Sequence, residues 1–354
     1  MLRCQADEFS LPEGVHYLNG AYMSPLLRSV EEAGIAAIRR KRFPVDITPV
    51  DFFDPADAAR ERFARLVGAT DPERVAILPA VSYGVAVAAR NTPLAAGQNI
   101  VLVEGQFPSN ALIWHRRARE RGATVRTVPA PDRALEAIDA DTAVLAMAPL
   151  HWTDGTRFDL TALGHRAREV GAVFVVDGTQ AVGAQPIDVA AVGVDALIVA
   201  AYKWLLGPYS LAFGWFGSRF DGGTPLEEAW LARTGSDDFR SLVHYVDEYR
   251  PAAPPARILP APAPYRFTVP TLAPDPMGLH KLRAVWNRVR DSLSPCGAPR
   301  SGSRPTCTTP RTTSSPSAPP SSKPPGRRPD PRFGPPDRPA RRRGSRGLRK
   351  RMAV

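Results

Sequence analysis

The sequence predicts an α/β fold with a mainly parallel seven-stranded sheet covered by helices. Short apolar β-type runs alternate with amphipathic helical stretches from about Val75 to Phe216. The runs are nearly continuous in apolar residues instead of alternating with polar ones, which suits strands buried on both faces. Beyond Tyr249 that rhythm stops and proline takes over.

The elements follow in order. Residues 26–70 read as helical, most clearly from Val30 to Arg42 and from Pro55 to Val67. Six strands are expected in Val75–Leu78, Ile100–Val103, Thr124–Val128, Ala143–Met147, Val173–Val176 and Ala196–Val199, and a seventh in Leu211–Phe216. A helix is expected to begin near Val85. Nine prolines between 251 and 276 exclude regular helix or central strand over most of that stretch. From about Asn287 the chain is rich in Pro, Ser, Thr and Arg with almost no large apolar residues, a composition that cannot build a core and predicts disorder.

The net charge of +11 over 354 residues suggests a nucleic-acid partner until its distribution is examined. Residues 287–354 hold 17 Lys and Arg against 3 Asp and Glu, which leaves 29 against 32 in residues 1–286. The body is mildly acidic, and the basicity belongs to a tail almost without aromatics. No nucleic-acid partner is expected, although such a tail could hold phosphates nonspecifically. Cys4, Cys296 and Cys307 are odd in number and lack metal-type spacing, which fits a reducing compartment and predicts no metal site. No run approaches a membrane span, and the polar start lacks a secretory signal's apolar region, so a cytoplasmic protein is expected.

Two strand ends carry the chemistry. Asp177 closes the apolar run that begins at Ala172, and Lys203 follows the run that begins at Ala196. Either residue alone reads most simply as a helix cap or a solvated cation. Together they sit at the carboxyl ends of two strands, where open α/β sheets place ligands. Pyridoxal 5'-phosphate requires such a pair: an amine to form a Schiff base with its aldehyde, and a carboxylate to keep its ring nitrogen protonated.

With these residues and Gln180, the chain from about Tyr17 to Tyr249 resembles the class V aminotransferase family of fold type I pyridoxal-phosphate enzymes. That family includes cysteine desulfurases, kynureninases and isopenicillin N epimerase-like proteins. The most specific pieces are Val173–Gly183, reading Val-Phe-Val-Val-Asp-Gly-Thr-Gln-Ala-Val-Gly, and Tyr202–Pro208, reading Tyr-Lys-Trp-Leu-Leu-Gly-Pro. The resemblance implies that Lys203 is the Schiff-base lysine, that Asp177 pairs with the ring nitrogen and that Gln180 bonds the phenolic oxygen. It also implies that Ser82 and Tyr83, just before a helix, and Tyr202 serve the phosphate, and that Phe107 stacks on the ring. Free N–H groups and the helix dipole at Ser82 and Tyr83 fit a dianion. Ala200 departs from the pattern, because desulfurases often carry a phosphate-binding hydroxyl there. Asn19 and Ala21 lie in a segment resembling the one that returns over the active site, and His151 in a cofactor-side loop; these three are candidate substrate contacts. A buried, hydrogen-bonded His151 is an equally good account. A homodimer is implied, with Ala232–Ser236 the candidate contribution to the neighbour's phosphate.

The expected organisation is an N-terminal segment (1–25), a cofactor-binding large domain (26–250), a partial or disrupted small domain (251–286) and a disordered basic tail (287–354). The family's small domain carries an arginine for the substrate carboxylate in a motif of the form Arg-Leu-Ser-Pro-His-Leu-Tyr-Asn-Thr, which this chain lacks. Yet joining the third base of each codon from Ser301 to Thr309 to the first two bases of the next permits that motif in order. The tail is therefore read as an out-of-frame translation, leaving a truncated or frameshifted small domain. The sequence thus predicts a pyridoxal-phosphate enzyme acting on an amino acid, as an aminotransferase, lyase or epimerase. A cysteine desulfurase is the alternative, although none of the three cysteines sits in a catalytic context. A remnant that binds cofactor without turnover and a basic-tailed nucleic-acid binder are the other readings.

Overall fold

The computed structural model describes residues 4–129 and 131–249. The expectations for residues 251–286 and 287–354 lie outside the described residues.

Seven strands form one sheet: β1 (Val75–Leu78), β2 (Asn99–Val103), β3 (Thr124–Val128), β4 (Thr142–Met147), β5 (Val173–Asp177), β6 (Ala196–Ala200) and β7 (Ala212–Phe216). Their order is β1-β7-β6-β5-β4-β2-β3. Strand β7 runs antiparallel to both its neighbours, and every other pairing is parallel.

Strict alternation along the strands sends side chains into two cores. On one face, Val101, Val103, Leu145, Met147, Phe174, Val176, Leu197 and Val199 pack with Phe63, Ile138 and Leu163. These last belong to or flank helices α2 (Asp54–Leu66), α5 (Pro131–Ala137) and α6 (Leu160–Val170). On the other face, Ile100, Leu102, Val144, Ala146, Val173, Val175, Ala196 and Ile198 meet Val85 and Ala88 of α3 (Val81–Asn91) and Trp114 and Ala118 of α4 (Leu112–Arg121). Burial on both faces is why the runs contain so few polar residues. The exception is β3, whose Thr124, Arg126 and Thr127 are exposed because it forms the sheet edge, where polar side chains blunt unwanted pairing.

Helix α1 (Arg28–Arg40) and α2 occupy the region expected to be helical, with 3₁₀ turns between them. The expected start of α3 near Val85 is corrected to Val81. Helices α6 and α7 (Val189–Val192) begin with Asp159 and Asp188, whose side chains accept from the following N–H groups, whereas α3 begins at Ala80 with no side-chain cap. Gly84 lets α3 lie close on the sheet, since a Cβ there would sit 2.6 Å from Leu78 Cδ1 and 2.9 Å from Ile198 Cγ2. The strand order reverses direction between β2 and β4, which opens a crevice at the carboxyl ends of the strands. No helix of the described residues is long and apolar enough to cross a membrane.

Candidate active site

A cavity of about 360 Å³ opens at those strand ends. Each strand end delivers part of its wall: Ala80 to Ser82 after β1, Gln106 and Phe107 after β2, Asp177 and Thr179 at the end of β5, and Tyr202 and Lys203 after β6.

Asp177 and Lys203 are each only 7% exposed. A buried charge destabilises its own ionised form unless it is paired. Burial pushes the Asp177 carboxyl up, against hydrogen bonds from Thr179 and the charge of Lys203. Burial pushes the Lys203 ammonium down, against the charge of Asp177. Among the described residues Lys203 has no carboxylate within 4.0 Å. Its Nζ lies 5.7 Å from the Phe107 ring centroid and 5.9 Å from that of Tyr202. Burial, then Tyr209 and Asp177, also raise the Tyr202 hydroxyl.

At the third wall, the first intrahelical bonds of α3 run from Tyr83 N and Gly84 N to Ala80 O. The N–H groups of Val81 and Ser82 therefore have no intrahelical acceptor, and both residues line the cavity. An uncapped helix start facing a cavity favours an anion. Tyr83 does not line the cavity. One helical position later than Ser82, its side chain packs against the core that α3 shares with the sheet.

The loop carrying Lys203 is held from below and from the side. Gly183 has φ +98°, and a Cβ there would lie 2.3 Å from Trp204 O, so only glycine lets the turn after β5 approach this closely. Leu206 and Ser210, at φ 55° and 65°, are the only non-glycine residues with positive φ among the described residues, and both lie in this loop. Backbone strain of this kind persists where surrounding structure enforces it.

Gln180 lines the cavity, with its Nε2 donating to Ala21 O at 3.1 Å and its Oε1 accepting from Trp204 Nε1 at 3.2 Å. Ser24 N donates to Tyr202 O at 3.0 Å, so the N-terminal segment grips the lysine loop through backbone groups. Neither Asn19 nor Ala21 lines the cavity; Ala21 meets Gln180 through its carbonyl, and Asn19 O accepts from Tyr22 N and Met23 N within its own segment. His151 is also outside the lining. Its Nε2 lies 2.9 Å from Glu104 O and its Nδ1 2.7 Å from Thr153 Oγ1. A carbonyl can only accept, so Nε2 carries a hydrogen and the ring fastens the β4 loop to the β2 loop.

Sequence reasoning gave no role to Trp152, Thr179 or Trp204. Trp152 lines the cavity, donates to Gly105 O at 2.7 Å and meets Phe107 edge-on at 5.4 Å between centroids. Thr179 holds the ends of β5 and β6 together, accepting from Ala200 N at 3.1 Å. Ala232–Ser236 is tied within its own chain, Ser236 Oγ donating to Leu231 O and Arg233 stacking on Tyr249 at 4.0 Å.

An open α/β sheet with a buried lysine and carboxylate at its strand ends defines a ligand-binding α/β domain of the kind that handles phosphorylated cofactors. Residues 50–214 match the family model for aminotransferase class-V, and that segment is of the class V aminotransferase family. It is 31% identical over 260 residues to an isopenicillin N epimerase of Amycolatopsis lactamdurans, covering 66% of this chain and 65% of that protein. It is 31% identical over 229 residues to a kynureninase of Pseudomonas fluorescens, covering 59% of this chain and 53% of that one. The cysteine desulfurase CsdA of Escherichia coli superposes with a TM-score of 0.60 at 20% identity, over 80% of this chain and 70% of that one, a likeness of fold. The chain spans between about half and two-thirds of the length of these curated relatives.

Proposed function

We propose that this chain is a pyridoxal-phosphate enzyme acting on an amino acid, with Lys203 as its reactive amine. The observation that carries the reading is the pairing of Asp177 and Lys203, both buried, at one cavity beside the uncapped start of α3. The residues fit the cofactor. A buried carboxyl pushed up by burial would be relieved by a protonated ring nitrogen, and uncapped N–H groups by a phosphate.

When bound, pyridoxal phosphate supplies an aldehyde for amines and a ring that withdraws electrons from the carbon bearing the substrate amine. The chain's own residues supply the rest. Asp177 would hold the positive charge on the ring nitrogen. Lys203, its ammonium destabilised by burial, presents a free amine more readily than an exposed lysine does, and Nζ then accepts or returns the proton of the substrate carbon. Phe107 and Trp152 meet edge-on in the cavity wall, where Phe107 would stack on the ring. Val81 N–H, Ser82 and Tyr202 would hold the phosphate, and Gln180 the phenolic oxygen. The reaction is of aminotransferase, lyase or epimerase type, carried out by a cytoplasmic homodimer.

Reconstitution with pyridoxal phosphate tests this. The protein should turn yellow, borohydride should fix the cofactor on the peptide containing Lys203, Lys203→Ala should abolish that adduct, and light scattering of the loaded protein should give a dimer mass. A wild-type chain that stays colourless overturns the reading.

A further inference from the structure

We propose that Thr179 is the positioning residue for Asp177, fixing its carboxylate toward the cavity through a buried bridge between the ends of β5 and β6. This rests on the cofactor reading above. Thr179 is 8% exposed and lines the cavity beside Asp177. Its backbone N donates to Asp177 Oδ1 at 3.1 Å, while its Oγ1 accepts from Ala200 N at 3.1 Å.

A hydroxyl has one hydrogen to give, and accepting from Ala200 N–H through one lone pair leaves that hydrogen unspent, so the Thr179 O–H can turn to the neighbouring carboxylate. Asp177 is then held from both the backbone and the side chain of one residue. The backbone bond, and the hydroxyl once turned to the carboxylate, oppose the effect of burial, which alone drives the carboxyl toward its neutral form. Lys203 and Tyr202, both on the loop after β6, are the titratable groups that act on Asp177 among the described residues. Lys203 has no carboxylate within 4.0 Å among them, so hydrogen bonds from Thr179 are the closest support for the anion. A neutral Asp177 could not keep a ring nitrogen protonated, so losing the Thr179 hydroxyl would disable the cavity without touching Lys203 or Asp177.

The test compares Thr179→Val, which removes the hydroxyl at nearly constant shape, with Thr179→Ser, which keeps it. In the full chain without cofactor, the Asp177 side-chain carbon signal, identified by its loss in Asp177→Asn, should titrate at higher pH in Thr179→Val than in wild type, and at the wild-type midpoint in Thr179→Ser. The dissociation constant for pyridoxal phosphate should rise about tenfold or more in Thr179→Val, the loss of one hydrogen bond to a charged group, and stay within about twofold in Thr179→Ser. If Thr179→Val does not stay folded, Thr179→Cys carries the test with a weaker donor, and an intermediate shift is expected. A variant that melts earlier but keeps the wild-type titration and affinity makes Thr179 a strand tie only and overturns the proposal. So does a Thr179→Ser protein that behaves like Thr179→Val. A wild-type chain that takes up no cofactor overturns the functional reading instead, and the carboxyl titration then decides the role of Thr179 alone.

Discussion

At the scale of single residues, the candidate site works against the stability of the chain that carries it. Burial disfavours the ionised forms of both Lys203 and Asp177, and residues so placed are kept for chemistry at a cost in stability. The ordinary lysine value is 10.5, and the folded value of Lys203 lies below it. Between the two, the unfolded chain binds more protons than the folded one, so the Lys203 contribution makes stability rise with pH across that window. Lys203→Met should therefore stabilise the cofactor-free chain at pH 8 by on the order of 1 kcal/mol, or about 2–4 °C in melting temperature. The gain should shrink as pH approaches 10. Urea unfolding midpoints at the two pH values check this, and a variant no more stable than wild type at pH 8 would show that lost packing outweighs relieved burial.

At the scale of elements, the catalytic geometry depends on loops that meet after strands end. Gly183 and Gly97 both have positive φ, at +98° and +86°, but only Gly183 faces another backbone, with Trp204 O 2.3 Å from where a Cβ would sit. Gly97→Ala should cost only the backbone strain, about 1–2 kcal/mol. Gly183→Ala must also push the Lys203 loop away, and should cost about 3 kcal/mol or more together with cofactor binding. Equal losses in denaturant midpoint for the two variants would refute the close-approach argument. This contrast also explains what the sequence made legible. The strands were visible because burial on both faces leaves nearly pure apolar runs, and Asp177 and Lys203 because a charge at the end of such a run is conspicuous. The start of α3 was not, because Ala80 carries none of the side chains that mark a cap. Thr179, Trp152 and Trp204 were not, because their roles arise where loops from different strands meet. Tyr83 and Ser82 are adjacent in sequence, yet the helical turn sends only one of them to the cavity.

At the scale of the whole molecule, the question is what the region after Tyr249 encodes. Reading the third base of each codon with the next two, Ser301/Gly302 permits Arg, and the following pairs permit Leu, Ser, Pro, His, Leu, Tyr, Asn and Thr in turn through Thr309/Pro310. Each pair permits several residues, so a single match carries little weight, but nine consecutive matches in the order of the family's carboxylate-binding motif are hard to attribute to chance. The described cavity supplies Lys203 as the only cation in its lining, and that amine is already committed to the cofactor in the proposed chemistry. A substrate carboxylate would then lack the bidentate guanidinium that such recognition favours, and losing a hydrogen bond to a charged group costs about 1.5–3 kcal/mol. We therefore expect the 354-residue chain to bind amino acids weakly and turn them over little. A gene with the shifted frame restored, including any missing small-domain sequence, should gain amino-acid-dependent spectral changes and turnover. Resequencing the DNA across codons 245–320 comes first: codons at 301–309 that cannot spell the motif in the shifted frame end the idea, and so does robust turnover by the chain as it stands.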